Sequence, residues 1–193
     1  MAAIAKSFIS ETEYLEIERK AEFKNEYYKG EIFAMAGATK EHNKIVAALI
    51  GELYAFLKGK GCDVFPSDLR VYNQDNGLYT YPDVTIVCGK EEYLDDKFDT
   101  LLNPTVIFEV LSPSTEDYDR GTKFKLYRTI PSLKNYVIIS STEYSAEVYT
   151  RAEGDKWILS TTKNNDLSIT ISVIDYEMVL ADVYAQVDNL KGS

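Results

Sequence analysis

Residues 105–111 read TVIFEVL, a nearly continuous apolar run with one charge in it. A run of that length without polar alternation is the pattern of a central strand buried on both faces. Helical character follows from about 117 to 129, ended by Pro131, and then comes a second apolar run, NYVIIS at 135–140. Strand, helix and strand in that order predict a right-handed crossover between parallel neighbours. The flanking sequence supplies the rest of a mixed sheet. Residues 11–24 carry Tyr14, Ile17 and Ala21 at helical spacing, and 26–36 form a hairpin turning at Lys29-Gly30. The long helix spans 39–58, with Val46, Leu49, Ile50, Leu53 and Leu57 in one stripe, Thr39 as its N-cap, and Gly59 and Gly61 as its stop. Strands are predicted at 63–73 and 79–88 around an Asn76-Gly77 turn, with Pro82 marking an edge or an irregular start. Short strands fill 145–173, with turns at Gly154 and Asn164-Asn165, and a short helix closes 177–187. The expected class is α/β or α+β, a mixed β-sheet core flanked by helices.

The chain has 193 residues, the length of a single domain. Its 31 acids against 21 Lys and Arg leave a net charge of −10, which disfavours a protein that coats nucleic acid through bulk charge. A nucleic-acid enzyme with a local basic face, or an acidic site for a metal, stays open. No apolar run reaches the roughly 20 residues that cross a bilayer, and the opening MAAIAK does not read as a secretory signal. Cys62 and Cys88 are too few for a disulfide framework and are read as buried thiols, which fits a reducing, cytoplasmic location.

Chemistry concentrates around the central run. Alternation places Ile107, Glu109 and Leu111 on one face of the strand, and a carboxylate there needs a cation or an ion-pair partner. Asp83, in YPDVTIV, stands one strand earlier behind a proline that fixes the approach of the chain. Two carboxylates on neighbouring strands can share a divalent ion, and oxygen donors suit Mg²⁺. From Arg120 to Lys134 there are five basic residues and no acid, a local reversal of sign. Lys123 and Tyr127 share a helix face, and Lys123 either pairs with Asp119 at i−4 or orients a water. The acids of the 90–103 segment are read as a solvated loop.

Pro82-Asp83, an apolar strand with Glu109, and a following basic helix together resemble the PD-(D/E)xK nuclease superfamily. More narrowly, EVLSPST at 109–115, followed by Asp119, Lys123 and Tyr127, is similar to the Uma-two family. The likeness extends to EYYKGEI at 26–32, to His42, and to Pro131-Ser132-Leu133 and Tyr136, covering about residues 10–185. The superfamily pattern puts a lysine two residues after the second acid, where this chain has Leu111; in the Uma-two pattern the lysine is on the next helix, at Lys123.

The resemblance implies a restriction-endonuclease-like fold and metal-dependent hydrolysis of DNA phosphodiesters. Asp83 and Glu109 would hold Mg²⁺ or Mn²⁺, and Lys123 would orient water or stabilise charge on the phosphate. Glu31 is either a further acid at the edge of the site or an exposed hairpin charge. His42 and Tyr127 are accessory candidates, His42 alternatively serving the helix start. Ser112, Ser114 and Thr115 shape the turn and cap the helix, while Arg120 and Arg128 either meet phosphates or form a solvated basic face. A homodimer would suit an enzyme cutting two strands. The alternative is a non-catalytic module of the same fold that binds nucleic acid or a protein, a reading that Leu111 and the acidic surface favour.

Overall fold

The computed structural model describes residues 8–112, 116–163, 168–188 and 190. The chain begins with α1 (Glu11–Glu18), the hairpin β1 (Asn25–Tyr28) and β2 (Glu31–Ala34), and the long helix α2 (Lys40–Leu57). Strands β3 (Cys62–Pro66), β4 (Arg70–Asn73), β5 (Leu78–Thr80), β6 (Val84–Cys88), β7 (Thr100–Leu101) and β8 (Val106–Leu111) follow. A π-helical turn, Tyr118–Lys123, runs directly into α3 (Phe124–Tyr127). The remaining elements are β9 (Asn135–Ser140), β10 (Ala146–Arg151), β11 (Trp157–Thr162), β12 (Ser168–Ile171), β13 (Tyr176–Val179) and α4 (Leu180–Val183).

Two sheets are stacked. The larger has the order β11-β10-β9-β8-β6-β3, and the other has the order β2-β1-β5-β4-β7. In the larger sheet β8 and β9 are parallel, as the strand–helix–strand order predicts, and both are buried along their whole length. The face carrying Val106, Phe108 and Val110 packs on Ile45, Leu49, Leu53 and Leu57 of α2 and on the β12–β13 hairpin. The face carrying Ile107 and Leu111 meets Val71, Leu78 and Leu101 of the second sheet, with Tyr127, Ile130 and Leu133. On the outer side of the second sheet, α1 adds Tyr14 to a cluster with Tyr27 and Tyr79. The fold is therefore a mixed α+β sandwich, and Glu109 lies on the side of β8 between its two sheets.

Local signals explain most boundaries. Ser10 and Glu13 form a reciprocal capping box at α1, and Thr39 accepts the His42 N–H at α2. The hairpin turn puts Lys29 and Gly30 at positive φ (47° and 89°), the conformation that makes glycine the fitting residue. The Asn-Gly turn is present, with the Gly77 N–H donating to the Asn73 carbonyl at 2.9 Å.

Other expectations are corrected. The first helix stops at Glu18 rather than continuing to 24, because the Glu18 carboxylate turns back to accept from the Asn25 backbone and side chain. The extended stretches 63–73 and 79–88 each divide into two strands that belong to different sheets. Pro82 sits at the second division, between β5 and β6, where a missing N–H costs no ladder bond. The helix expected over 117–129 ends at Tyr127 and passes through a wider π turn at Tyr118–Lys123, and the one expected over 177–187 narrows to α4. Cys62 and Cys88 are not free thiols: they are direct partners across β3 and β6 and form a disulfide. The thiol argument for a reducing compartment therefore falls away. The Asn164-Asn165 turn, Ser114 and Thr115 lie outside the described residues. Among the described residues, no helix is long and apolar enough to cross a membrane.

Charge ties the acidic 90–103 segment to the fold. Arg19 donates to Asp99 and Asp95, and buried Arg70 lies 3.2 Å from Asp99. Burial alone would raise the Asp99 carboxyl, but hydrogen bonds from Arg19 and Thr100 and the nearby arginine charges bring it down to about 2. A folded value below the unfolded value of about 4 stabilises the fold above that pH, and the contribution is lost as pH falls toward 2. Urea midpoints of wild type and Asp99→Asn are therefore expected to differ at pH 7 and to converge near pH 2. A constant gap across that range would show that Asp99 carries no such linkage.

Candidate active site

β6 and β8 run antiparallel with Val84 opposite Phe108, so the next positions along bring Asp83 beside Glu109. Asp83 stands just past the β5–β6 crossing. Its Oδ2 accepts the Val110 N–H at 2.7 Å, and its Oδ1 lies 3.1 Å from Nε2 of His42. His42 is in the first turn of α2, which aims its ring at the strand ends. Burial opposes a charged imidazole there, but the Asp83 hydrogen bond and charge, with the Val110 backbone, outweigh it and raise the His42 pKa above its ordinary value.

Glu109 is 4% exposed, and the π turn and α3 bring its partners. Lys123 Nζ donates to Glu109 Oε1 at 3.0 Å, and the Tyr127 hydroxyl donates to the same oxygen at 2.9 Å. Lys123 Nζ is also 3.3 Å from Glu26 Oε1 and 3.5 Å from Asp119 Oδ1. Lysine and tyrosine at i, i+4 thus converge on one carboxylate, as their shared helix face predicts. The Asp119 pairing expected at i−4 is also present, as one of three.

Three acids around one ammonium set the electrostatics. Burial pushes the Glu109 carboxyl well above the usual range; Lys123 opposes this, and Asp119, Asp83 and Glu26 add to it. Burial alone would lower the Lys123 pKa, but Glu109, Tyr127, Glu26 and Asp119 carry it well above its ordinary value, so the amine is charged. Thr80 links the acids: its hydroxyl donates to Glu26 at 2.5 Å and lies 3.0 Å from the Tyr127 hydroxyl. With Tyr127 donating to Glu109 and Thr80 donating to Glu26, the two hydroxyl hydrogens are spent, and the Thr80–Tyr127 contact is a close approach of two oxygens with no hydrogen of its own.

Glu26 is the acid that sequence reasoning missed. Glu31 is exposed on β2 at the edge of its sheet, as the hairpin-charge reading has it, whereas Glu26 is 8% exposed on β1, one strand further in beside β5. The signal available was the order of strands, which the hairpin alone does not reveal. Arg120 is bound to Glu147 at 2.8 Å and to Glu116, while Arg128 is exposed. Leu111 is 3% exposed in the core, and the amine that lies against Glu109, at 3.0 Å, is that of Lys123. Ser112 accepts the Glu116 N–H through its carbonyl at the start of the helical stretch.

The donor set fits one kind of metal. Among the described residues, no group of three or more His, Cys, Asp or Glu could hold an ion, which leaves no closed protein cage of the structural-zinc type. Mg²⁺ needs less from a protein: one or two carboxylates, with water and substrate phosphates completing the shell. Asp83 and Glu109, brought to adjacent strand positions by the β6–β8 register, are carboxylates of the kind such an ion uses.

Comparison with known proteins places the chain in a family and finds its fold in a solved structure. The Uma2 family model, described as "putative restriction endonuclease", matches residues 11–181. Two Synechocystis sp. proteins are similar over most of the chain. The uncharacterized protein slr1290 is 36% identical over 158 residues, 82% of each chain. The uncharacterized protein sll1609 is 31% identical over 172 residues, 89% of this chain and 97% of that one. A crystal structure described as a putative nuclease belonging to DUF820, from Anabaena variabilis, superposes with a TM-score of 0.75 at 18% identity, covering 92% of this chain and 98% of that one. At that identity the likeness concerns the fold.

Proposed function

The chain belongs to the Uma2 family, and from that premise we propose that it is a divalent-cation-dependent endonuclease acting on DNA. The observation that carries the reading is the pairing of β6 with β8, which brings Asp83 beside Glu109, together with Lys123 and Tyr127 meeting at Glu109. Asp83 and Glu109 would hold Mg²⁺ or Mn²⁺, which when bound supplies Lewis-acid stabilisation of the phosphate and a more acidic water. The chain's own residues do the rest. His42 and the Val110 N–H hold the Asp83 carboxylate in place, and Tyr127 fixes the Glu109 carboxylate. Lys123, charged and held among acids, orients the attacking water or meets negative charge developing on the phosphate.

Exposed Lys125, Arg128 and Lys134 offer phosphates a small basic face in an otherwise acidic protein. Few phosphate contacts give weak, salt-sensitive binding. Purified protein is expected to nick or cut plasmid DNA with Mn²⁺ or Mg²⁺ and to stop when EDTA is added. No turnover on single- or double-stranded DNA, with Mn²⁺ still bound, would select the non-catalytic module instead.

A further inference from the structure

Lys123 faces two demands that conflict. Its ammonium donates to Glu109 Oε1, an oxygen that also receives the Tyr127 hydroxyl. A dication at Glu109 would face that ammonium at close range in a poorly screened interior, since the Lys123 and Glu109 side chains are only 8% and 6% exposed. Tyr127 is neutral and can remain. Lys123 already has other carboxylates within reach: Glu26 at 3.3 Å and Asp119 at 3.5 Å, both buried. Asp119 is one helical turn away and moves with the lysine, while Glu26 is anchored on β1 by the Thr80 hydroxyl.

We propose that Lys123 is the resident counter-cation of this site: its ammonium neutralises Glu109 until a divalent ion arrives, and Glu26 and Asp119 then hold it at the edge of the site. The inference rests on the reading of Asp83 and Glu109 as the metal carboxylates. It gives Glu26 and Asp119 the role of positioning residues, which keep the amine close after it leaves Glu109. The site would then trade one bound cation for another without exposing an unpaired buried charge.

The test is Mn²⁺ binding by electron paramagnetic resonance or calorimetry on wild type, Lys123→Gln and Asp83→Asn, with the Lys123 ε-methylene followed by NMR during Mg²⁺ titration and assigned through Lys123→Arg. Lys123→Gln is expected to bind Mn²⁺ about tenfold more tightly or better, because removing a nearby repelling charge is worth at least one such step. In wild type the Lys123 resonance is expected to move in step with Mg²⁺ saturation. Equal or weaker Mn²⁺ binding by folded Lys123→Gln, or a Lys123 resonance that ignores Mg²⁺, would overturn the proposal. If Lys123→Gln does not fold, the wild-type resonance decides. Asp83→Asn separates the two levels of inference: undiminished Mn²⁺ binding in that variant would overturn the metal site itself, and this proposal with it.

Discussion

Asp83→Asn and Glu109→Gln are each expected to lower metal-dependent DNA cleavage about a thousandfold or more, the scale of losing several kcal/mol of charge stabilisation at the transition state. Both substitutions remove a charge and preserve the packing. An amide at 83 can still accept the Val110 N–H through its oxygen, and an amide at 109 keeps the volume that fills the space between Lys123 and Tyr127. Thermal melting close to wild type is expected for Asp83→Asn, whereas Glu109→Gln loses a buried pairing of Lys123 and should melt lower, with Glu26 and Asp119 still holding the amine. Initial rates on supercoiled plasmid, taken across a Mn²⁺ range, make the measurement. Cutting that persists in both variants would remove these two carboxylates from the chemistry. Rates restored by high Mn²⁺ in one variant alone would identify that residue as a ligand that lowers the ion requirement.

Arg70→Met is expected to cost about 3 kcal/mol of stability, near the lower end for breaking a buried ion pair because Asp99 keeps partial contact with water. Arg70 is 3% exposed and spends its donors on Thr100 Oγ1 at 3.0 and 2.8 Å and on the Tyr81 hydroxyl at 2.9 Å. Tyr81 in turn donates to Glu18 at the end of α1. Removing the guanidinium leaves the Thr100 and Tyr81 oxygens without a buried donor and Asp99 without one of its cations. A methionine fills the volume but restores none of these bonds. For a chain of this size the melting temperature should fall by roughly 6–12 °C. Arg19→Met, which removes a more exposed bridge to the same Asp99, should cost under about 1 kcal/mol. Equal losses from the two variants would show that burial does not set the value of this network.

How much of the site could be read beforehand depended on the range of each interaction. Lys123 and Tyr127 are four residues apart, and Glu109 lies in an apolar run that requires a partner, so local periodicity was enough to nominate all three. His42 was nominated too, but nothing local said that α2 would aim it at Asp83 rather than at solvent. Glu26 and Glu31 flank the same turn, and only the position of β1 inside its sheet, with β2 at the edge, separates the buried acid from the exposed one. Cys88 ended one stretch read as extended and Cys62 stood one residue before the other, but a hairpin about Asn76-Gly77 does not bring them opposite; the β3–β6 ladder of the larger sheet sets that pairing.

The sequence by itself determined the central strand, its parallel partner, the long helix and its cap, the two glycine turns, and the presence of a buried acid followed by a lysine. Each of these follows from forces between residues close in the chain: side-chain periodicity, backbone preference and the cost of an unpaired buried charge. The tertiary structure alone decided that Pro82 marks a crossing between two sheets, that Glu26 shares Lys123 with Glu109, and that Arg120 is taken up by Glu147. These depend on which elements stack and in what register. The choice is made by the shared apolar area between two sheets, to which no single segment's pattern is sensitive.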